Sequence, residues 1–178
     1  RMPDALKVEK EDIDEAEYKK IEEVLKVALK ELNTFRSEEG MVLEKDFLQR
    51  ITTIKDLLEE VSQMDPGRID TIRERLEKAV VDLKTEVDQN RFEQELIYYL
   101  EKYDITEEKV RLLNHLDYFL KTLKSADSNG KKLGFISQEI GREINTIGSK
   151  ANYAPMQQIV VQMKDELEKV KEQLLNVL

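Results

Sequence analysis

Apolar positions recur at steps of three and four residues along most of the chain, a period that predicts helices and no strands. A first helix is expected from Asp14 to Arg36, with Ile21, Val24, Leu25, Ala28, Leu29 and Leu32 on one face. Glu38-Glu39-Gly40 either interrupts it or frays it. A second period runs through Leu43, Phe47, Ile51, Ile54, Leu57, Leu58 and Val61, and Asp65-Pro66-Gly67 is expected to stop it, because proline breaks the hydrogen-bond ladder and glycine favours a turn. A third helix, Ile69 to Asp88, carries Ile72, Leu76, Val80, Leu83 and Val87. It is free to continue into Phe92, Leu96, Ile97 and Leu100, since no breaker stands between Asp88 and Arg91.

In the second half the signals sharpen. Asp104-Ile105-Thr106 supplies an N-cap, with Glu107 and Glu108 placed to meet the exposed N–H groups of the first turn. Leu112, Leu116, Phe119, Leu120 and Leu123 form that helix's apolar side, and Ser125 to Gly130 reads as a loop. Leu133, Ile136, Ile140, Ile144 and Ile147 make the next stripe, and Asn152 to Pro155 separate it from the last helix. There Met156, Val160, Met163, Leu167, Val170, Leu174 and Val177 alternate steps of four and three, a heptad seam that requires an opposing helix from this chain or another subunit. The expected fold is all-α, an elongated helical bundle with long antiparallel helices and a C-terminal heptad helix. Residues 1–90 would form an N-terminal helical arm and residues 91–178 a C-terminal helical domain.

Composition narrows the function classes. The 178 residues include no cysteine, which excludes a disulfide framework and thiolate metal sites. No apolar run approaches the ~18 residues of a membrane span and no signal peptide is visible, so the protein reads as cytoplasmic with no membrane partner. The chain starts at Arg1, and RMPDALKVEK lacks a helical period, so an upstream domain is expected. A net charge of −9 argues against nonspecific adhesion to nucleic acid. Between Gly130 and Tyr153, however, Lys131, Lys132, Arg142 and Lys150 outnumber Glu139 and Glu143. The average conceals a basic island.

Two polar clusters border the apolar stripes. At ~100° per residue, Glu108, Arg111 and His115 share one edge of their helix, and Glu139, Arg142, Glu143 and Thr146 share an edge of the later one, with Phe135 among them. If those stripes pack together, the edges face a common groove. It would hold the chain's only histidine with three carboxylates and two arginines. Carboxylate and imidazole donors suit a divalent ion that activates water, and arginine clamps phosphate oxygens. Metal-assisted phosphodiester cleavage is therefore chemically available. The plainer readings are surface Glu–Arg pairs, a hydrogen-bonding structural histidine, packing rather than base stacking for Phe135, and a helix terminus for Thr146, Ser149 and Lys150.

The segment GKKLGF followed by QEIGREINTIGSK, residues 130–150, resembles the C-terminal signature of the YicC/YloC family, G-R-x-L-D-F-x-x-Q-E-x-x-R-E-x-N-T-x-x-S-K. Asp104-Ile105-Thr106-Glu107-Glu108 with Arg111 and His115 is similar to that family's D-I-x-E-E-x-x-R-x-x-x-H. Arg91 to Glu95 and Arg36 to Gly40 are weaker matches. Lys131 stands where arginine is usual, Gly134 where aspartate is, and Gly141 where asparagine is. The resemblance implies a cytoplasmic endoribonuclease that needs a divalent metal ion, manganese or magnesium, and assembles as a homo-oligomer, a hexamer around RNA at full length. On that footing Glu108, His115, Glu139 and Glu143 are the candidate catalytic groups and metal ligands. Arg111, Arg142, Lys131, Lys132, Asn145, Ser149 and Lys150 are the candidate RNA contacts. The alternatives are an RNA-gripping oligomerisation scaffold without catalysis of its own, and a structural helical module that binds protein partners through the heptad seam.

Overall fold

The computed structural model describes residues 14–82, 88–125 and 129–177. Among them five helices follow one another and no strand occurs: α1 (Glu15–Asp82), α2 (Gln89–Tyr103), α3 (Thr106–Leu123), α4 (Gly130–Ala151) and α5 (Ala154–Leu174). The all-α expectation holds. The expected termini differ, because the first three predicted helices are one. No helix among the described residues is long and apolar enough to cross a membrane.

Pro66 and Gly67 do not stop α1; they lie inside it. An interior proline costs roughly 3 kcal/mol by removing one hydrogen bond and crowding the preceding turn. What offsets it is the set of side chains that only a helix presents together. Val61, Asp65, Arg68 and Ile72 recur at three- and four-residue steps and are all buried. A turn at Asp65 would scatter them. Glu38 to Gly40 are likewise helical. The expected run from Asp88 into Phe92 is also corrected: Asp88 is extended (φ −63°, ψ 111°) and its carboxylate accepts from the N–H groups of Asn90 and Arg91, opening α2 as a separate helix. Of the Ile69–Asp88 stripe, Ile72 is buried, Leu76 and Val80 are half-buried, and Leu83 and Val87 fall outside the described residues.

The chain divides after Val42 into two compact units. In the first, every described residue but Asp14 belongs to α1, and Ile21, Val24, Leu25, Leu29 and Leu32 are each at least half exposed. The second holds one core. Phe47, Ile51, Ile54, Leu57, Leu58 and Val61 of α1 cluster with Leu112, Leu116 and Phe119 of α3, the isoleucine stripe of α4 and the heptad residues of α5. Each such side chain contributes about 1.5–3 kcal/mol on burial.

The heptad seam finds its partner in this chain. Met156, Val160, Met163, Leu167 and Val170 are buried within the same cluster as the α4 stripe. Asn152, in the left-handed region at φ 42°, ends α4, and Tyr153 and Pro155 lead into α5, so the two helices fold back on each other. Their contact is close. A Cβ at Gly148 would lie 3.0 Å from Val160 Cγ1, and one at Gly141 would lie 3.2 Å from Leu167 Cδ2. Gly134 has nothing within 4 Å.

That contrast is measurable by chemical denaturation. Gly148→Ala should lose roughly 1–2 kcal/mol, because overpacking against a stiff β-branched valine outweighs the gain in helix propensity. Gly134→Ala should gain about 0.5–1 kcal/mol, having only the propensity term. Equal and positive effects at both positions would refute the close α4–α5 approach.

Candidate functional site

The α3–α4 hairpin positions every candidate residue. Its register is fixed near the open end, where Lys150 Nζ donates to Glu108 Oε1 at 2.7 Å. The helices are antiparallel, and counting one heptad along each from this bridge pairs His115 with Glu143, a further heptad Thr122 with Ile136. Glu108 and Glu143 are 5% and 9% exposed and His115 is half-buried. These residues form an inner polar row beside the leucine and isoleucine stripes. Glu108 Oε2 and Thr122 Oγ1 are buried without a hydrogen-bond partner among the described residues.

The remaining candidates lie outside that row. Arg142 Nη1 pairs with Glu139 Oε1 at 2.7 Å, and Arg111 pairs with Glu107, both arginines being more than half exposed. These are the plain i, i+3 and i, i+4 pairs of a helix surface, worth a few tenths of a kcal/mol each. Lys131, Lys132, Asn145 and Ser149 are exposed. Lys132 Nζ sits 5.1 Å above the Tyr118 ring. Ser149 and Thr146 hydroxyls turn back onto main-chain carbonyls of their own helix. Phe135 does not pack: it is 66% exposed, against the packing expectation, because it lies on the far side of α4 from the isoleucine stripe.

Sequence reasoning missed the charged knot at the hairpin's open end. Arg68, 1% exposed, donates through Nε and Nη2 to Asp65 Oδ1 at 3.0 and 2.6 Å. The same guanidinium reaches Tyr103 O at 2.8 Å and Ala151 O at 3.1 Å, the last carbonyls of α2 and α4. Asp65 Oδ2 accepts from Lys109 Nζ of α3 at 2.7 Å. The one available signal was Asp65 and Arg68 at a spacing of three, which the intervening Pro-Gly made look like a turn. Asp104 adjoins the knot. The Thr106 hydroxyl, then the Thr106 N–H, hold its carboxyl below the usual range, and Lys150 and Lys109 add to this.

The donor set can be judged against a divalent ion. Among the described residues no three His, Cys, Asp or Glu side chains gather as a cation cage. Glu108 is committed through one oxygen to Lys150, and Glu139 to Arg142. The heptad count from the bridge leaves Glu143 as the carboxylate nearest His115. One carboxylate fits a largely hydrated ion that completes its shell with water and phosphate oxygens, as magnesium does, and does not make a closed protein site; the imidazole is no natural ligand for so hard an ion.

Two measurements probe the knot. Arg68→Met should destabilise the fold by about 3–5 kcal/mol in urea titration, because it strands the buried Asp65 carboxylate and two helix-end carbonyls. A loss below about 1 kcal/mol would mean the guanidinium bonds are not formed. For Asp104 the folded-state pKa is lowered, so its contribution is fully present above about pH 4 and vanishes as pH falls through the lowered value. Asp104→Asn should therefore melt below the parent at about pH 7, with the gap closing as pH falls through the lowered pKa. A gap that persists in acid would remove the charge from the explanation.

Comparison with known proteins matches this sequence to a family. The family model described as "Endoribonuclease YicC-like, C-terminal" matches residues 61–178. The "Probable endoribonuclease YicC" of Clostridioides difficile (strain 630) is 35% identical over 181 aligned residues, which cover 99% of this chain and 62% of the relative. That of Haemophilus influenzae (strain ATCC 51907 / DSM 11121 / KW20 / Rd), with the same description, is 31% identical over 181 residues, covering 99% and 61%. The chain thus spans about three-fifths of the length of these relatives. The α3–α4 hairpin lies wholly inside the matched region, and the chain belongs to the YicC-like endoribonuclease family.

Proposed function

We propose that the protein cleaves RNA internally and that the α3–α4 hairpin is the part of this chain that binds and cuts it. The observation that carries this reading is the Glu108–Lys150 bridge; a heptad counted from it along both helices pairs His115 with Glu143. Relatives over nearly the whole chain are described as probable endoribonucleases. In hydrolysis Glu143 accepts the proton of the attacking water, and His115 returns a proton to the departing ribose oxygen as the P–O bond breaks. Arg142, Lys131 and Lys132 neutralise phosphate oxygens, with Glu139 orienting Arg142. Glu108 holds Lys150 at the groove's end, and Arg111, Asn145 and Ser149 contact the backbone or ribose.

The reading includes dependence on manganese or magnesium. A bound ion would supply water activation and charge screening, held by the Glu143 carboxylate with water and phosphate oxygens, and His115 would keep its ring free as the proton donor. It also includes a homo-oligomeric assembly in the cytoplasm. A second reading, an RNA-gripping scaffold whose chemistry lies in another part of the full-length protein, is favoured by the lack of a closed ligand cage among the described residues.

One assay separates the two. Full-length protein should cut a fluorophore-labelled stem-loop or single-stranded RNA in manganese or magnesium and stop in chelator. His115→Ala and Glu143→Gln, checked for an unchanged melting temperature, should slow cutting by about 10²–10⁴-fold while RNA affinity stays within about twofold. Normal cutting by both variants removes the pair from the mechanism. Lost affinity with a proportionate loss of cutting selects the scaffold.

A further inference from the structure

One face of α4 is left unused by the fold, and four of the RNA contacts just assigned stand on it together with Phe135 and Gln138, which have no role so far. Lys131, Phe135, Gln138, Arg142, Asn145 and Ser149 follow at steps of four, three, four, three and four, and all six are exposed. They make a straight row about 27 Å long at ~1.5 Å per residue. It contains two cations, two amides, a hydroxyl and an aromatic ring, and no carboxylate. Glu139, which flanks it, is held by Arg142.

Phe135 is the anomaly in the row. Every other large apolar residue of α4, from Leu133 to Ile147, is 5% exposed or less, whereas Phe135 is 66% exposed. The helix sorts its apolar residues cleanly and leaves out the largest. A single exposed ring among polar groups is too small an apolar patch to seed a protein interface, which needs a desolvated core within about 1,000 Å² or more. It is the right size for one nucleobase. Amides on either side can meet base edges, and the cations can meet phosphates. A second exposed ring, Tyr118 of α3, lies under Lys132 near the same end of the hairpin.

We infer that the outer row of α4 is a rail for single-stranded RNA, on which an unpaired base stacks on Phe135. Gln138 and Asn145 read or steady neighbouring base edges, while Lys131 and Arg142 follow the backbone. The assignment rests on the RNA-cleaving reading above and adds to it a base-stacking site at Phe135, which none of the phosphate contacts supplies. A continuous duplex offers no free base face, so its binding would not engage the ring. The inner row then works on the strand that the outer row holds.

The test uses the full-length protein and a single-stranded RNA carrying the fluorescent base 2-aminopurine, whose emission is quenched on stacking. Binding is followed by that quenching and by anisotropy. Phe135→Leu keeps an apolar, helix-favouring side chain at an exposed position, so the fold is not at risk. It should weaken single-strand affinity roughly 5- to 150-fold, the range expected for loss of one stacked base, and abolish the quenching. Affinity for duplex RNA should stay unchanged, and Phe135→Trp should restore both single-strand signals. In cleavage the leucine variant should raise KM and leave kcat near the parent value.

The failures are distinguishable. A parent protein that cuts RNA while Phe135→Leu binds and quenches like it overturns the rail and leaves the nuclease reading standing. A parent that neither binds nor cuts RNA defeats the nuclease reading and the rail with it. Altered mass in light scattering for Phe135→Leu, with unchanged RNA affinity, would place the ring against another copy of the chain and also overturn the assignment.

Discussion

A buried guanidinium at the meeting point of helix ends sets the frame for the rest of the domain. Arg68 stands on α1 where the last carbonyls of α2 and α4 converge, and its own carboxylate partner, Asp65, takes the ammonium of Lys109 on α3. The C-terminal end of a helix carries unsatisfied carbonyls and a partial negative charge, so a cation there serves as hydrogen-bond donor and counter-charge together. Burial would make a lone guanidinium costly. Here it is compensated by Asp65 and by two helix ends, which is why it tolerates full burial. The same requirement explains the proline inside α1, since only helical spacing through Pro66 places Asp65 and Arg68 side by side.

From that fixed end the hairpin's register follows. The residue whose carbonyl meets Arg68, Ala151, adjoins Lys150, whose side chain bridges to Glu108. Counted from that bridge, heptad geometry pairs the polar positions of α3 with those of α4. On the opposite flank, Gly141 and Gly148 let α5 approach too closely for other residues, which prevents α4 from rotating about its axis. A helix that cannot rotate presents two different polar edges, one half-sheltered against α3 and one open. The open edge carries cations, amides and one aromatic ring and no carboxylate, although the chain's net charge is −9.

Much of this was legible before any coordinates. The stripes of α3, α4 and α5 gave the helices, their order and their buried faces, because period and cap signals are local. Pro66-Gly67 misled for the complementary reason: its local preference was overridden by partners on α2, α3 and α4 that lie far away in sequence. Asp88 was a missed local signal, an N-cap aspartate read as mere continuity. Phe135 was another. It precedes Ile140 by five residues, about 140° of rotation, which already put it on the outer side of the stripe. The sorting of candidate residues into inner and outer rows needed the Glu108–Lys150 bridge, and a pairing across 42 positions is not written in either helix alone.

Gly134 bears on how those rows divide the work. The family pattern has aspartate there, and the space around this glycine is open, so packing does not dictate the loss of the carboxylate. The position lies between Lys131 and Gln138, next to Phe135. An aspartate would set a negative charge beside the ring and oppose phosphates drawn along the row. Its absence makes the outer row more favourable to a polyanion and takes one candidate ligand away from any cation on that side. On the proposed reading, acid–base work falls to the carboxylates and imidazole on the α3 side, and the outer edge of α4 to the grip.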